Sequence, residues 1–223
     1  MWNNSEGVDM ASYDQIYGFI LDKGSDNLVR FGGKFEGGIH LQKDPHEMAT
    51  VIKFLEDTGK AFENYLEIGA AAGGSVYLMN KFLGFKNTVI LDNDLHPKCY
   101  LQKEILDGIN YSKVAGNSHD QRSLNAVKEK NMMFDVILID TDVRGEDVED
   151  TLRNYVRLLR AGGYFVMHNF SEKGFEVKDV LADIDKGVVR DLYCYDIEIG
   201  LKHAMHIVKE QGRLGIAVYE KIY

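Results

Sequence analysis

Cysteine is scarce in this chain of 223 residues, which contains only Cys99 and Cys194. Two cysteines so far apart in sequence cannot build the dense disulfide framework on which small secreted domains depend. Both are therefore expected to be reduced thiols. This usage is typical of a cytoplasmic protein, and we expect that location here.

Positive charge is also in short supply, with 26 lysines and arginines against 35 aspartates and glutamates and a formal net charge of -9. An acidic chain of this kind is a poor ligand for the phosphate backbone of DNA or RNA. We therefore expect a small molecule or a protein surface, and no nucleic acid, as the partner.

Long hydrophobic runs are missing as well. No apolar segment approaches the ~20 residues that a membrane-spanning helix needs. The first residues, MWNNSEGVDMASYDQIYGF, lack the basic start and the apolar core of a signal peptide. No membrane association is expected. A hydrophobic content of 45% suits one globular domain of this length, and a homo-oligomer is as compatible with it as a monomer.

From residue 64 onward, short apolar runs alternate with helical patterns, which predicts an α/β fold with a doubly wound, mostly parallel sheet of seven strands. Such a sheet binds ligands at the carboxyl ends of its strands. The last two runs predict a closing antiparallel hairpin across Gly212, with 192–199 as an alternative penultimate strand. Ala161-Gly162-Gly163 is predicted to end the fourth helix. The predicted strands are 65–69, 88–92, 111–116, 134–140, 164–169, 204–210 and 216–221, and the helices are 75–83, 97–108, 122–130, 146–160 and 177–185.

Residues 1–63 are expected to form helices and a glycine-rich segment in front of the core, 64–223, within one domain overall. The glycine-rich segment, 30–42, reads RFGGKFEGGIHLQ and is compatible with a loop or with a mobile lid over a cleft. A first helix is predicted up to about Gly24. The signals that open a second helix are Asp44 as N-cap, Pro45 in the first turn and Glu47 as capping-box partner.

The stretch Asn64–Met79, NYLEIGAAAGGSVYLM, passes from a strand pattern to a helical pattern through Gly69, Gly73 and Gly74. Glycines at such a join let the backbone come close either to another element or to a ligand. The dinucleotide fingerprint G-x-G-x-x-G is not met, because its third position is Ala71, and no G-K-[ST] follows as in a phosphate-binding loop. Packing alone and a cofactor without phosphate both stay open.

The turn Glu67-Ile68-Gly69, followed by Gly73 and by the later motif FDVILIDTD...LLRAGGYFVMHN, resembles the class I S-adenosylmethionine-dependent methyltransferases. Within them it is most similar to the small-molecule O-methyltransferases of the catechol and macrolide-sugar type. The resemblance covers the chain from about Asn64 to its C-terminus. It implies an enzyme that transfers the methyl group of S-adenosylmethionine to an oxygen of a small-molecule acceptor.

The resemblance assigns the cofactor to the carboxyl ends of the first three strands. Asp92 falls ~20 residues after the turn, where this fold places a carboxylate for ribose hydroxyls, and Asp94 is the alternative. Ser118 and His119 follow the third strand, at the position commonly used for the adenine ring. The turn itself would contribute Glu67, Gly69, Ala70, Gly73, Gly74 and Ser75.

The resemblance also carries a divalent cation, Mg²⁺, to Asp140, His168 and Asn169, where it would orient the acceptor and lower the pKa of its hydroxyl. Two departures from the family pattern weaken this assignment. No lysine follows shortly after Asp140, where the chain reads Thr141-Asp142-Val143-Arg144. The later pair begins with His168 instead of a carboxylate, and Mg²⁺ prefers oxygen ligands.

His168 has a second interpretation, as the base that takes the proton of the acceptor hydroxyl with an ionisation near the reference imidazole pKa of ~6.5. Asp142 would then be a competing base or the group that orients His168, while Asp140 would face the methionine end of the cofactor or the substrate. A histidine satisfied by a neighbouring group, with no catalytic part, is the remaining alternative.

Two other functions stay open. A methyltransferase-like domain that binds without catalysis would account for the missing lysine and the altered metal pair. A nucleotide-dependent oxidoreductase is the other alternative, and the spacing of the glycine turn argues against it. His203 and His206 do not form a metal pair in a strand, because residues three apart point to opposite faces.

Overall fold

The computed structural model describes residues 10–26, 38–141, 151–152, 154–168, 201–207 and 215–223. Within 201–207 it describes the side chains of Ala204 and Met205 only. The predicted helix 177–185, the alternative strand 192–199, Gly212 and most of the segment 30–42 lie outside the described residues.

The described strands form one sheet in the order β3-β2-β1-β4-β5-β7-β6. Strands β1 to β5 run parallel, and β7 pairs antiparallel with both β5 and β6. This confirms the predicted seven-stranded, mostly parallel sheet with an antiparallel C-terminal pair. The strands are β1 (Asn64–Ile68), β2 (Asn87–Asp92), β3 (Tyr111–Ala115), β4 (Phe134–Ile139), β5 (Leu159–His168), β6 (Leu201–Ile207) and β7 (Ile216–Lys221).

Side chains alternate between the two faces of the sheet along each strand, so both faces carry apolar residues. Helices cover both faces. On one face, Tyr65 and Val136 pack against the first three helices. On the other, Leu66 and Ile137 pack against the fifth helix and the helical residues 151–156, of which residue 153 is not described. The helices are α1 (Tyr13–Lys23), α2 (Pro45–Asp57), α3 (Gly74–Leu83), α4 (Gln102–Ile105) and α5 (Gln121–Lys128).

The start of α2 is partly as predicted. Asp44 is the N-cap, and its side chain accepts a hydrogen bond from the backbone N–H of His46. Glu47, however, is not the capping-box partner that the spacing predicts. Its Oε1 accepts instead from the backbone N–H of Gly215, at 2.9 Å, and the side chain is buried. A long-range partner has therefore replaced the local one.

Two predicted helix boundaries are wrong. The segment 97–108 forms only a 3₁₀ turn, Cys99–Leu101, and the short α4. Ala161-Gly162-Gly163 does not end a helix but lies within β5, which begins at Leu159. The pairing of β4 with β5 shifts register there, and Gly162 has a φ of 75°. A glycine in the left-handed region can form a β-bulge as well as a helix cap, so the local sequence does not distinguish them.

No helix in the described ranges is long and apolar enough to cross a membrane.

Candidate functional site

A cavity of about 710 Å³ opens at the carboxyl ends of strands β1 to β5. This is the edge at which a doubly wound sheet binds its ligands. Of the predicted cofactor residues, Gly69, Asp92, Ser118 and His119 line the cavity. Other parts of its wall come from Gln42, Ala71, Asn93, Leu95, His96, Asn117, Asp140, Thr141 and His168.

The three glycines of the turn have different neighbours. Gly69 lines the cavity, but its φ is 85° and an added Cβ would lie 2.0 Å from the backbone oxygen of Asp140. Gly73 also has a positive φ and packs against the side chain of Leu106. Gly74 meets the backbone of Ile39, whose oxygen would lie 2.5 Å from a Cβ. Close packing therefore accounts for all three, and only Gly69 borders the cavity as well.

This packing changes what a substitution at Gly69 should do. Gly69→Ala would clash with a strand-end backbone in addition to straining φ, so we expect a loss of several kcal/mol of stability and, with it, of cofactor binding. Gly84→Ala is the matched control, because Gly84 has a φ of 66° with nothing within 4 Å of an added Cβ. It should cost only about 1–2 kcal/mol. Thermal unfolding of both variants checks this, and equal losses would contradict the clash.

Asp92 organises the turn from the end of β2. Its Oδ2 accepts hydrogen bonds from the backbone N–H groups of Ala70 and Ala71, at 2.8 and 2.9 Å, and its Oδ1 accepts from that of Asp94 at 2.8 Å. Asp92 is buried, yet it borders the cavity, whereas Asp94 is exposed and pairs with Lys113. Of the two candidate carboxylates, the structure therefore places Asp92 at the cavity.

The remaining turn residues lie behind the cavity wall. Glu67 is fully buried and accepts hydrogen bonds from the hydroxyls of Tyr65 and Ser75. Ala70 is buried against the carboxylate of Asp92. At the adenine position, the hydroxyl of Ser118 is hydrogen-bonded to that of Thr151, at 3.1 Å, and His119 is exposed.

A buried charged cluster closes the other end of the cavity. Its centre is Asp140, which follows β4. One carboxylate oxygen of Asp140 lies 2.7 Å from Lys43 Nζ, and the other lies 2.8 Å from His168 Nδ1. Lys43 Nζ also donates to the hydroxyl of Ser75, at 3.1 Å, and lies 3.8 Å from a carboxylate oxygen of Glu67. The exposed fraction of the side chain is 17% for Asp140, 4% for Lys43 and 1% for His168, so Asp140 is the most exposed of the three.

The protonation of the cluster follows from these contacts. Burial alone would raise the pKa of Asp140, but His168 and Lys43 hold it well below its usual range. Burial alone would lower the pKa of Lys43, but Asp140 and Glu67 raise it above its ordinary value. Lys43 is therefore charged, and Asp140 is a carboxylate, at neutral pH. Burial raises the pKa of Glu67, against the opposing effects of Lys43, Ser75 and Tyr65.

His168 lies between two carboxylates. Its Nδ1 faces Asp140, and its Nε2 lies 3.7 Å from Glu47 Oε2. Neither Nε2 nor this Glu47 oxygen has a hydrogen-bond partner among the described residues. Burial alone would lower the pKa of His168, but the charge of Asp140, its hydrogen bond to Nδ1 and the nearby Glu47 raise it. The imidazole is thus held beside Asp140, with both ring nitrogens directed at acids.

The described part of the predicted metal site does not suit a divalent cation. Both oxygens of Asp140 are already engaged, one of them by an ammonium group that would repel a dication at the same carboxylate. His168 directs Nδ1 at Asp140 and Nε2 at Glu47. Asn169, the third predicted ligand, and Asp142, the predicted second base, lie outside the described residues, so their assignments stay predictions.

Sequence reasoning missed two members of the cluster, Lys43 and Glu47. Lys43 had one local signal: a cation just before a helix N-cap is poorly placed for the helix dipole, which suggests another partner. Glu47 had none, since its position three residues after the N-cap is fully accounted for by a capping box.

The strand order, the glycine turn after β1 and the cavity at the strand ends define the fold of the class I methyltransferases, with a C-terminal antiparallel pair. Solved structures with this fold include a provisionally assigned caffeoyl-CoA O-methyltransferase from Staphylococcus aureus, at 16% identity and a TM-score of 0.55 over 78% of this chain and 82% of that one. An rRNA methylase from Streptococcus thermophilus matches with a TM-score of 0.56 at 8% identity, over 79% of this chain and 97% of that one.

MycE, a methyltransferase of the mycinamycin biosynthetic pathway solved with Mg, SAH and mycinamycin VI, matches with a TM-score of 0.56 at 16% identity. The match covers 88% of this chain and 53% of MycE, so this chain spans about half of that protein's length. An uncharacterized protein of Acanthamoeba polyphaga mimivirus is 25% identical over 153 residues, which is 60% of this chain and 67% of the viral protein. No family model matches the chain. At these identities the structural likenesses establish the fold alone.

Proposed function

We propose that this protein is an S-adenosylmethionine-dependent methyltransferase that acts on an oxygen of a small-molecule acceptor. The observation that carries the proposal is the way Asp92 holds the turn after β1. It accepts the backbone N–H groups of Ala70 and Ala71, which a pyrophosphate would need as donors. A cofactor without phosphate does not compete for them, and its ribose can donate to the acceptor position of Asp92 that no backbone N–H occupies.

The cavity also distinguishes this proposal from an oxidoreductase. A carboxylate at the phosphate-binding turn, with its charge directed at the backbone donors, repels the pyrophosphate of a dinucleotide. S-adenosylmethionine carries a sulfonium and no phosphate, so the carboxylates of Asp92 and Asp140, which line the cavity, attract it instead. The structure of MycE with SAH gives a precedent for a cofactor of this kind on this fold.

When bound, the cofactor supplies a methyl group already activated by the charge on sulfur. The protein has to align the acceptor oxygen behind the methyl carbon and remove the acceptor's proton. Asp140 is the most exposed member of the cluster and borders the cavity, and we infer that it receives this proton. The Nδ1–H of His168 donates to Asp140 at 2.8 Å and fixes the carboxylate. When the imidazole is neutral, its positive charge no longer lowers the basicity of Asp140, and Asp140 can return the proton to solvent in the cavity.

Glu47 helps to set the pH at which the imidazole becomes neutral. It lies 3.7 Å from Nε2 and, together with Asp140, raises the pKa of His168, while the 2.8 Å contact with Asp140 keeps the proton of the neutral ring on Nδ1. The carboxylate Glu47 is itself fixed by the backbone N–H of Gly215. In this arrangement Asp140, His168 and Glu47 act without a bound metal ion.

Isothermal titration calorimetry of the full chain tests the proposal. S-adenosylmethionine and S-adenosylhomocysteine should bind with dissociation constants of about 1–100 μM, within the range in which enzymes hold their substrates, and NAD should release no heat. Binding of NAD without binding of S-adenosylmethionine would instead favour the oxidoreductase.

Transfer of a labelled methyl group to a panel of phenols, sugars and polyketides then separates enzyme from binding domain. Turnover of any member supports the enzyme. Cofactor binding without turnover across the whole panel supports the non-catalytic alternative.

A further inference from the structure

We propose that Lys43 is the cation that positions Asp140 for methyl transfer, in the place where a divalent cation would otherwise sit. The inference rests on the proposed function and adds to it a positioning residue from outside the predicted core, 64–223. Lys43 Nζ lies 2.7 Å from Asp140 Oδ2 and is almost fully buried. Lys43 thus supports Asp140 from behind the cavity wall, and it comes from a part of the chain that precedes the methyltransferase-like region.

The fold delivers Lys43 through a short run of residues, 38–43, that we call the docking segment. The segment lies against the first residue of α3, because Gly74 has no side chain: an added Cβ would lie 2.5 Å from the oxygen of Ile39 and 3.0 Å from Leu41. The hydroxyl of Ser25 donates to the carbonyls of Leu41 and Lys43, at 2.9 and 3.3 Å. Gly74 therefore allows the approach, and Ser25 fixes the end that carries Lys43.

The partners of Lys43 indicate that its charge is used. The ammonium lies next to the carboxylates of Asp140 and Glu67 and donates to the Ser75 hydroxyl that binds Glu67. A buried ammonium that served packing alone would be replaceable by an apolar side chain, since a buried ion pair gives little net stability. Here it holds one oxygen of the carboxylate that borders the cavity, so its loss would leave that oxygen without its cation and would let Asp140 turn about its contact with His168.

Three variants test the proposal. Lys43→Gln removes the charge and keeps a polar side chain, Lys43→Arg keeps a cation, and Lys53→Gln is the control, because Lys53 pairs with Asp57 on the exposed face of α2. We expect Lys43→Gln to lower kcat by about 10–100-fold, since a small misplacement of a reacting group is enough for such a loss, with little change in acceptor KM. Lys43→Arg should recover part of the rate, and Lys53→Gln should equal the native protein. A native kcat in Lys43→Gln would overturn the proposal.

A Mn²⁺ titration of the native chain, followed by the electron paramagnetic resonance of the free ion, needs no variant at Lys43. We expect that any binding of Mn²⁺ is the same in Asp140→Asn as in the native chain. We also expect that methyl transfer continues in EDTA. Mn²⁺ binding lost in Asp140→Asn, or activity stopped by EDTA and restored by Mg²⁺, would overturn the proposal. Calorimetry with S-adenosylhomocysteine keeps the two inferences apart: a native chain that fails to bind it refutes the proposed function, whatever the Mn²⁺ titration shows.

Discussion

His168→Ala should slow methyl transfer by about 10²–10⁴-fold, the usual contribution of a positioned acid or base, and should leave the affinity for S-adenosylhomocysteine within about threefold. The imidazole is buried beside Asp140, so its removal deprives the reacting carboxylate of the hydrogen bond that holds it in place. Single-turnover rates with saturating cofactor measure the effect. His46→Ala is the control, because the side chain of His46 contacts Tyr13 and is not part of the cavity wall.

The pH dependence of the same rate gives a second check. The imidazolium charge of His168 lowers the basicity of Asp140, so activity should rise with pH as the imidazole becomes neutral. Because Asp140 and Glu47 raise the pKa of His168, the rise should be centred above the reference value of ~6.5. Glu47→Gln should move the rise to lower pH, and His168→Ala should abolish it. A rise centred at or below ~6.5 in the native protein, or a rise that survives in His168→Ala, would contradict this role of His168.

The raised pKa also affects stability. Protonated His168 stabilises the fold fully below the unfolded-state pKa of ~6.5, and this contribution is lost as the pH rises through the higher folded-state pKa. The free energy of unfolding lost in His168→Ala should therefore be larger at low than at high pH. Urea unfolding at both pH values measures it.

The second large effect is expected at Asp92. A charge-assisted hydrogen bond from a ribose hydroxyl, worth about 1.5–3 kcal/mol, predicts that Asp92→Ala weakens cofactor binding by at least about 10-fold. The same change leaves the N–H groups of Ala70 and Ala71 without their acceptor, which should lower stability by about 2–6 kcal/mol. Calorimetry and urea unfolding separate the two losses.

Asp94→Asn is the control for Asp92→Ala. Asp94 has a φ of 58°, which asparagine tolerates, and its carboxylate pairs with Lys113 away from the cavity. Its affinity for the cofactor should stay within about twofold of the native value. Unchanged binding in Asp92→Ala, together with weakened binding in Asp94→Asn, would transfer the ribose role to Asp94.

The alternation of apolar runs and helical patterns was enough to predict the sheet, because burial on both faces leaves a strong signal in sequences such as FDVILI. The same signal placed Asp92, Asp140 and His168 at strand ends, where the structure brings them to one cavity. Boundaries that depend on backbone conformation were harder. The sequence predicts that Gly162 and Gly163 end a helix, but the structure places them in a bulge of β5. A glycine with positive φ, as at Gly162, fits either structure.

The charged cluster could not be predicted because its contacts join distant parts of the chain. Glu47 binds a backbone group 168 residues away, and Lys43 reaches Asp140 only after the docking segment has packed on Gly74. The family pattern directed attention to a lysine after Asp140, whereas the lysine that contacts Asp140 comes from the start of α2. Gly74 was likewise assigned to the cofactor, and its nearest neighbours are Ile39 and Leu41.

A crystal structure of the full chain with S-adenosylhomocysteine, grown in the presence of Mg²⁺, tests the central claim most directly. We predict the cofactor product in the cavity of about 710 Å³, with its ribose hydroxyls on Asp92, its adenine beside Ser118 and His119, and Lys43 still paired with Asp140. S-adenosylhomocysteine bound outside this cavity, or a Mg²⁺ ion on Asp140 with Lys43 displaced, would contradict the account.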